Sequence, residues 1–357
     1  MDTPRLKALV GLSVVVSGVL TGCVHSSQDN STPPGTALPT ITSAGELEPG
    51  TILIEKSQGL WLLDPSGQST ASYVTLANQE ETLISTPKIS SDGRYIYALL
   101  GPSSVGGVKR NELHQLIQID TRTKEKRTLF EYPGLFTIVA ISPNGQKIIL
   151  DYFVEDAYYP IFCVFDIIQE DCEHSEFSLD WRHTHWINDS QFLTIAESAE
   201  LYLVDAATLA TERIYLPAPI HAFDLLRSRQ VLTFEKQGNR PATFYTIGLD
   251  TQQYQFLPYS TISNYYAFLS ELQLSPNEKY LLYGHSENYV VIDFISGEMI
   301  GEIDEVFSAE WLPDSQGIIF VRGPDGNRSE VSLFDLTSRS LDVLYRDDEL
   351  ESVIVVP

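Results

Sequence analysis

Eleven residues near the middle of the chain, Ala140-Ile141-Ser142-Pro143-Asn144-Gly145-Gln146-Lys147-Ile148-Ile149-Leu150, read as the end of a strand, a tight turn and a second, apolar strand. Variants of this stretch recur along most of the sequence, and that recurrence constrains the fold more than any other feature. Aligned on the Ile141 position, the copies fall at Ile89, Ile141, Trp186, Leu225 (the most degenerate), Leu274 and Trp311, spaced by 52, 45, 39, 49 and 37 residues. After each turn comes an apolar strand such as Tyr95-Ile96-Tyr97-Ala98 or Ile318-Ile319-Phe320-Val321. A third strand then ends in Asp, as in Leu116-Ile117-Gln118-Ile119-Asp120 or Val290-Val291-Ile292-Asp293. An Asp there suits a turn, because its carboxylate can accept backbone N–H groups.

A period near 44 residues with four strands per unit is the pattern of propeller blades. The ends fix the count. Residues 51–82 supply three strands that read as the second, third and fourth of a blade, while Val353-Ile354-Val355-Val356 stands alone after the last complete unit. Joining the lone strand to the incomplete blade removes two exposed sheet edges. The expectation is an all-β, seven-bladed propeller of four-stranded antiparallel blades, its ring closed by the C-terminal strand joining the N-terminal blade. The repeats resemble the WD-repeat-like units of TolB-type bacterial β-propellers, whose consensus is close to Ser-Pro-Asp-Gly before an apolar strand. The resemblance covers roughly residues 51–357 and says nothing about activity.

The N-terminus reads as an address. Arg5 and Lys7 precede an uncharged run, and Leu20-Thr21-Gly22-Cys23 closes it, a secretory signal layout. The run from Ala8 to Val24 is 17 residues, short of the ~20 a spanning helix needs. The last four residues resemble the lipobox of bacterial lipoproteins. That resemblance implies a signal peptide over 1–22, cleavage before Cys23, diacylglycerol on its thiol and an acyl chain on its new amine. Residues 23–50, rich in Ser, Thr, Pro and Gly, then read as a flexible tether, and residues 51–357 as the propeller. The expected location is extracytoplasmic, with the membrane held through the lipid on Cys23.

With 48 acidic against 23 basic residues, the surface repels phosphate backbones, so no nucleic-acid partner is expected. Gly-x-Ser-x-Gly, His-Glu-x-x-His and Cys-x-x-Cys are absent. No catalytic residue, cofactor or metal is assigned. Cys163 and Cys172 are an even pair in an exported chain, so they form a disulfide or stand as half-buried thiols. Loops on one face, including 101–111, 153–160, 181–183, 217–221 and 258–268, gather aromatic and basic residues. Tyr158, Tyr159, Trp181, Arg182, His183, Tyr265 and Tyr266 are the expected binding rim for a protein or cell-wall glycan. A competing reading makes the chain a propeller enzyme, a metal-dependent lactonase or a polysaccharide lyase or hydrolase, with His183, His185, Asp224 and Glu310 converging at the channel mouth.

Overall fold

Strand alternation and tight turns generate every blade. The computed structural model describes residues 47–56, 59–64, 70–75, 81–102, 113–134, 136–152, 161–175, 179–196, 199–216, 220, 222–235, 243–257, 269–285, 288–323, 329–348 and 350–357. In blade 1 these give β1 (Ile52–Lys56), β2 (Gly59–Leu63) and β3 (Thr70–Thr75). Blade 2 holds β4 (Glu81–Ile89), β5 (Tyr95–Pro102), β6 (Leu113–Asp120) and β7 (Lys126–Pro133). Blade 3 holds β8 (Phe136–Ile141), β9 (Lys147–Tyr152), β10 (Ile161–Asp166) and β11 (Asp171–Ser175). Blade 4 holds β12 (Leu179–Asn188), β13 (Gln191–Ala196), β14 (Leu201–Asp205) and β15 (Thr211–Ile214). Blade 5 holds β16 (Phe223–Leu225), β17 (Gln230–Glu235), β18 (Thr243–Gly248) and β19 (Tyr254–Phe256). Blade 6 holds β20 (Leu269–Leu274), β21 (Tyr280–His285), β22 (Asn288–Asp293) and β23 (Met299–Ile303). Blade 7 holds β24 (Val306–Trp311), β25 (Gly317–Arg322), β26 (Ser329–Asp335) and β27 (Ser340–Asp347), and β28 (Leu350–Val355) returns to blade 1. The seven sheets each have four antiparallel strands, and the first runs β28-β1-β2-β3. The seven-bladed ring agrees with the WD-repeat-like, TolB-type pattern of the repeats.

The core is divided into seven apolar seams, one between each pair of neighbouring blades. This follows from burying both faces of every central strand. In β9, Ile148 and Leu150 enter the seam with blade 2, and Ile149 enters the seam with blade 4. The seam between blades 7 and 1 is reinforced by charge. Lys56 Nζ lies 2.5 Å from Asp347 Oδ2 and 3.1 Å from the Tyr345 hydroxyl, with its ammonium over the rings of Trp61 and Tyr345. Within blade 7, on the other face of β26, Glu330, 4% exposed, accepts from Arg322 at 3.0 Å and Arg346 at 3.1 Å.

The repeated Ser-Pro-Asn-Gly turn owes its shape to a buried hydroxyl as well as to glycine. Ser142 Oγ donates to Asn144 Oδ1 (2.9 Å) and accepts the Lys147 N–H (2.9 Å), while Asn144 Oδ1 accepts the Gln146 N–H (3.0 Å). Ser90 with Asp92, and Ser275 with Asn277, repeat the same bonds. Gly93 and Gly145 take φ of 68°, a conformation free of strain for glycine. Glu278 takes φ 57° at that position without being glycine. Its carboxylate reaches the neighbouring turn, where Oε1 accepts the Arg227 N–H at 2.5 Å. Blade 5 explains its own degenerate repeat. Its Leu226 N–H bonds Gln230 O, four residues on, where Ser142 bonds Lys147 O five residues on, so the turn is one residue shorter.

Turns between third and fourth strands follow a second rule. Oδ1 of Asp120, Asp166, Asp205, Asp293 and Asp335 each accepts the N–H groups two and three residues later, at 2.7–3.1 Å. These bonds hold the carboxyls of Asp120 and Asp293 below the usual range, and at Asp205 the Thr208 hydroxyl leads. A carboxyl lowered on folding stabilises the fold above its unfolded value near 4, and that stabilisation is lost as pH falls through the folded value. Asp293→Ala is therefore expected to cost about 1–2 kcal/mol at pH 7. The deficit should shrink below about pH 4, as read by urea unfolding across pH.

Candidate channel-mouth site

Seven inner strands line the axis, and one repeat position on each sets the chemistry of the channel mouth. It is the residue just before the turn's anchor: Lys88, Ala140, His185, Asp224, Gln273 and Glu310 in blades 2 to 7, with Ile354 at the equivalent place in blade 1. In blades 2 to 7 each pairs with the third residue of the following strand, from Lys88↔Tyr97 to Glu310↔Ile319, and Ile354 pairs with Leu53 of β1. The six in blades 2 to 7 are half-buried, whereas Ile354 is buried. The result is a mixed collar of opposite charges and neutral groups. On the turn side it opens into a cavity of about 350 Å³ lined by Lys88, Glu310, Ser91, Ile89, Ile141 and Ile354.

Asp224 is the best-held member. Its Oδ1 accepts the Leu225 N–H at 2.7 Å, its Oδ2 accepts the Leu274 N–H at 2.5 Å, and His185 Nδ1 stands 3.6 Å from Oδ1. The His185 ring meets Phe223 edge-on at 5.0 Å. One carboxylate thus ties the inner strands of blades 4, 5 and 6. Burial pushes its pKa up, against the opposing pull of His185 and the two N–H groups. Asp224→Ala leaves the half-buried Leu274 N–H without its acceptor and is expected to cost about 1–2 kcal/mol. Asp224→Asn, which keeps an oxygen, should cost less. Chemical denaturation of the two variants side by side makes the comparison.

The turns around this mouth are laced to one another. Ser91 Oγ donates to Pro143 O (2.6 Å), the Asn144 N–H to Asp189 Oδ1 (2.9 Å) and the Asn277 N–H to Ser315 Oγ (3.0 Å). With the Glu278–Arg227 bond, these tie the turns of blades 2, 3 and 4 together and those of blades 5, 6 and 7 together. A collar mounted on such a frame is preorganised.

His185, Asp224 and Glu310 all stand at this repeat position, on the inner strands of blades 4, 5 and 7. Lys88 and Gln273 escape a search for catalytic residue types. The signal that finds them is their place one residue before the repeat anchor. His183 needs correction as a rim anchor: it is 3% exposed inside β12, in a stretch where the register against β13 shifts. Residues 181–183 are accordingly part of a ten-residue strand and not a loop. Trp181 and Arg182 lie on that strand, and their side chains fall outside what is described. Tyr158, Tyr159, Tyr265, Tyr266 and Cys23 lie outside the described residues. Cys163 and Cys172 are joined by a disulfide.

Neither a protein-family model nor a curated protein matches this sequence. Solved structures do. A putative 6-phosphogluconolactonase from Bacteroides fragilis is similar at 12% identity and TM-score 0.54, over 89% of this chain and 100% of that one. A prolyl endopeptidase is similar at 9% identity and TM-score 0.59, over 88% of this chain and 50% of its own. TolB from Acinetobacter baumannii is similar at 13% identity and TM-score 0.47, over 85% of this chain and 65% of its own. The chain thus spans half of the endopeptidase and just under two thirds of TolB. What is shared is the fold. Identities this low carry no activity from those proteins to this one.

Proposed function

We propose that this protein is an exported, lipid-anchored propeller of the bacterial cell envelope that works as a non-catalytic binding or scaffold protein. The observation that carries this reading is the layout of Arg5, Lys7, an apolar run and Leu20-Thr21-Gly22-Cys23 ahead of a tether rich in Ser, Thr and Pro. A lipid on Cys23 holds the domain at a membrane, and the tether gives it reach. The laced turns and the channel-mouth cavity supply a rigid surface with an apolar floor and opposite charges, suited to holding part of a protein or cell-wall glycan. Crosslinking in intact cells, solubilisation and affinity capture test the proposal. A recurrent protein or glycan partner, reduced by Lys88→Glu, is the expected result. No partner with several crosslinkers, together with turnover of a small substrate, would overturn it.

One observation favours an enzyme as the second reading. His185 and Asp224 form an imidazole–carboxylate pair on the channel wall, the kind of pair that moves protons in hydrolysis. Lactone and polysaccharide substrates distinguish the two readings, since the second requires activity that His185→Ala removes.

A further inference from the structure

Blade 3 carries a cluster at its outer edge that the channel does not use. The Cα atoms of Cys163 on β10 and Cys172 on β11 are 5.7 Å apart, and His174 pairs directly across the ladder with Cys163. Strand alternation puts all three on one side of the blade, because Cys172 and His174 are two residues apart and paired residues share a face. That side faces blade 2: Cys163 belongs to the seam between blades 2 and 3, and Cys172 packs against it. The two sulfurs and one imidazole nitrogen lie within 4.8 Å of one another. Cys163 is buried, Cys172 half-buried and His174 exposed, so the cluster opens toward solvent.

We propose that Cys163, Cys172 and His174 form a redox-gated Zn²⁺ site, closed while the disulfide stands and opened when a dithiol reductant of the thioredoxin class cleaves it. In that exchange the S–S bond breaks, two electrons and two protons pass from the dithiol, and the reductant leaves as its own disulfide. Zn²⁺ then takes both sulfurs as thiolates and releases two protons. Ligand bonds of about 2.0–2.3 Å need donor atoms nearly 4 Å apart, a spacing that side-chain rotation supplies from the positions seen. Two sulfurs and one nitrogen leave a fourth position for water, which makes the metal exchangeable rather than structural. The site is separate from the channel mouth and stands whether or not a partner binds there.

The test uses the full chain in detergent, reduced by a phosphine that is then removed without oxygen. Zn²⁺ is titrated in competition with a chromophoric chelator, and Co²⁺ serves as a spectroscopic stand-in. The reduced chain is expected to bind one Zn²⁺ and to show a thiolate-to-cobalt charge-transfer band, and the oxidised chain neither. Cys172→Ser should roughly halve the band, and His174→Ala should weaken Zn²⁺ binding roughly tenfold or more. Equal uptake by oxidised and reduced chains, or undiminished binding in the two variants, would overturn the proposal. Thermal melts accompany each variant. Should Cys172→Ser fail to fold, the exposed His174→Ala decides alone.

Discussion

A chain ending at residue 349 is expected not to fold. Strand β28 is the inner strand of blade 1, pairing along β1 from Ile52↔Val355 to Lys56↔Leu350. Beyond it, Gly50 and Thr51 exchange backbone hydrogen bonds with Val356 at 2.8 and 2.9 Å. Leu350, Val353, Ile354, Val355 and Val356 are each at most 8% exposed. Leu350, Val353 and Val355 enter the seam with blade 7, and Ile354 enters the seam with blade 2. At about 1.5–3 kcal/mol for each buried aliphatic side chain, their loss is on the order of 10 kcal/mol, which equals the whole stability of an ordinary domain. The truncation also bares the edge of β1 and invites pairing between chains. Size-exclusion chromatography with thermal unfolding reads the result. Aggregation, or loss of the cooperative transition, is expected. A monomer that still melts cooperatively would mean that the ring does not depend on its closing strand.

Asp151→Asn is expected to do the opposite and stabilise the protein. Asp151 sits on β9, 4% exposed, paired with Thr137 on β8 and Phe162 on β10. Its Oδ1 and the Thr137 hydroxyl both lack a hydrogen-bond partner among the described residues. Burial pushes its carboxyl up to about 6 from the usual 3.8. A raised carboxyl weakens folding once the unfolded chain ionises. The penalty is nil below about pH 4, grows between 4 and 6, and is complete above 6 at about 3 kcal/mol. An amide of the same size removes the charge and gives back part of the gain through its own desolvation. The variant should therefore gain about 2 kcal/mol at pH 7.5 and nothing at pH 3.5, by denaturant unfolding. A variant no more stable than the parent at pH 7.5 would show that the carboxylate has a partner in solution.

The architecture is legible in the sequence because propeller blades repeat their chemistry. Asp120, Asp166, Asp205, Asp293 and Asp335 announce their turns by position, and the orphan run at 353–356 announces closure. Blade 5 shows where the repeat blurs, since its turn is one residue shorter than that of blade 3 and puts Leu226 where Ser142 stands. The role of the serine itself is hidden, because a buried hydroxyl that both donates and accepts resembles any other turn serine in sequence. The collar is half legible. His185, Asp224 and Glu310 attract notice as titratable groups, whereas Lys88 and Gln273 gain meaning only when the register stacks them at one level. The burial of His183 was hidden for a related reason: the register shift in β12 breaks the period of two on which its placement beside His185 depends.

The proposed lipid anchor at Cys23 is tested most directly by intact-mass and peptide mass spectrometry of the protein purified from membranes. The expected result is a chain beginning at Cys23, with diacylglycerol on the thiol and an acyl chain on the amine, and release of the protein into the soluble fraction by Cys23→Ala. A chain that keeps residues 1–22, or one that begins at Cys23 without lipid, would contradict it.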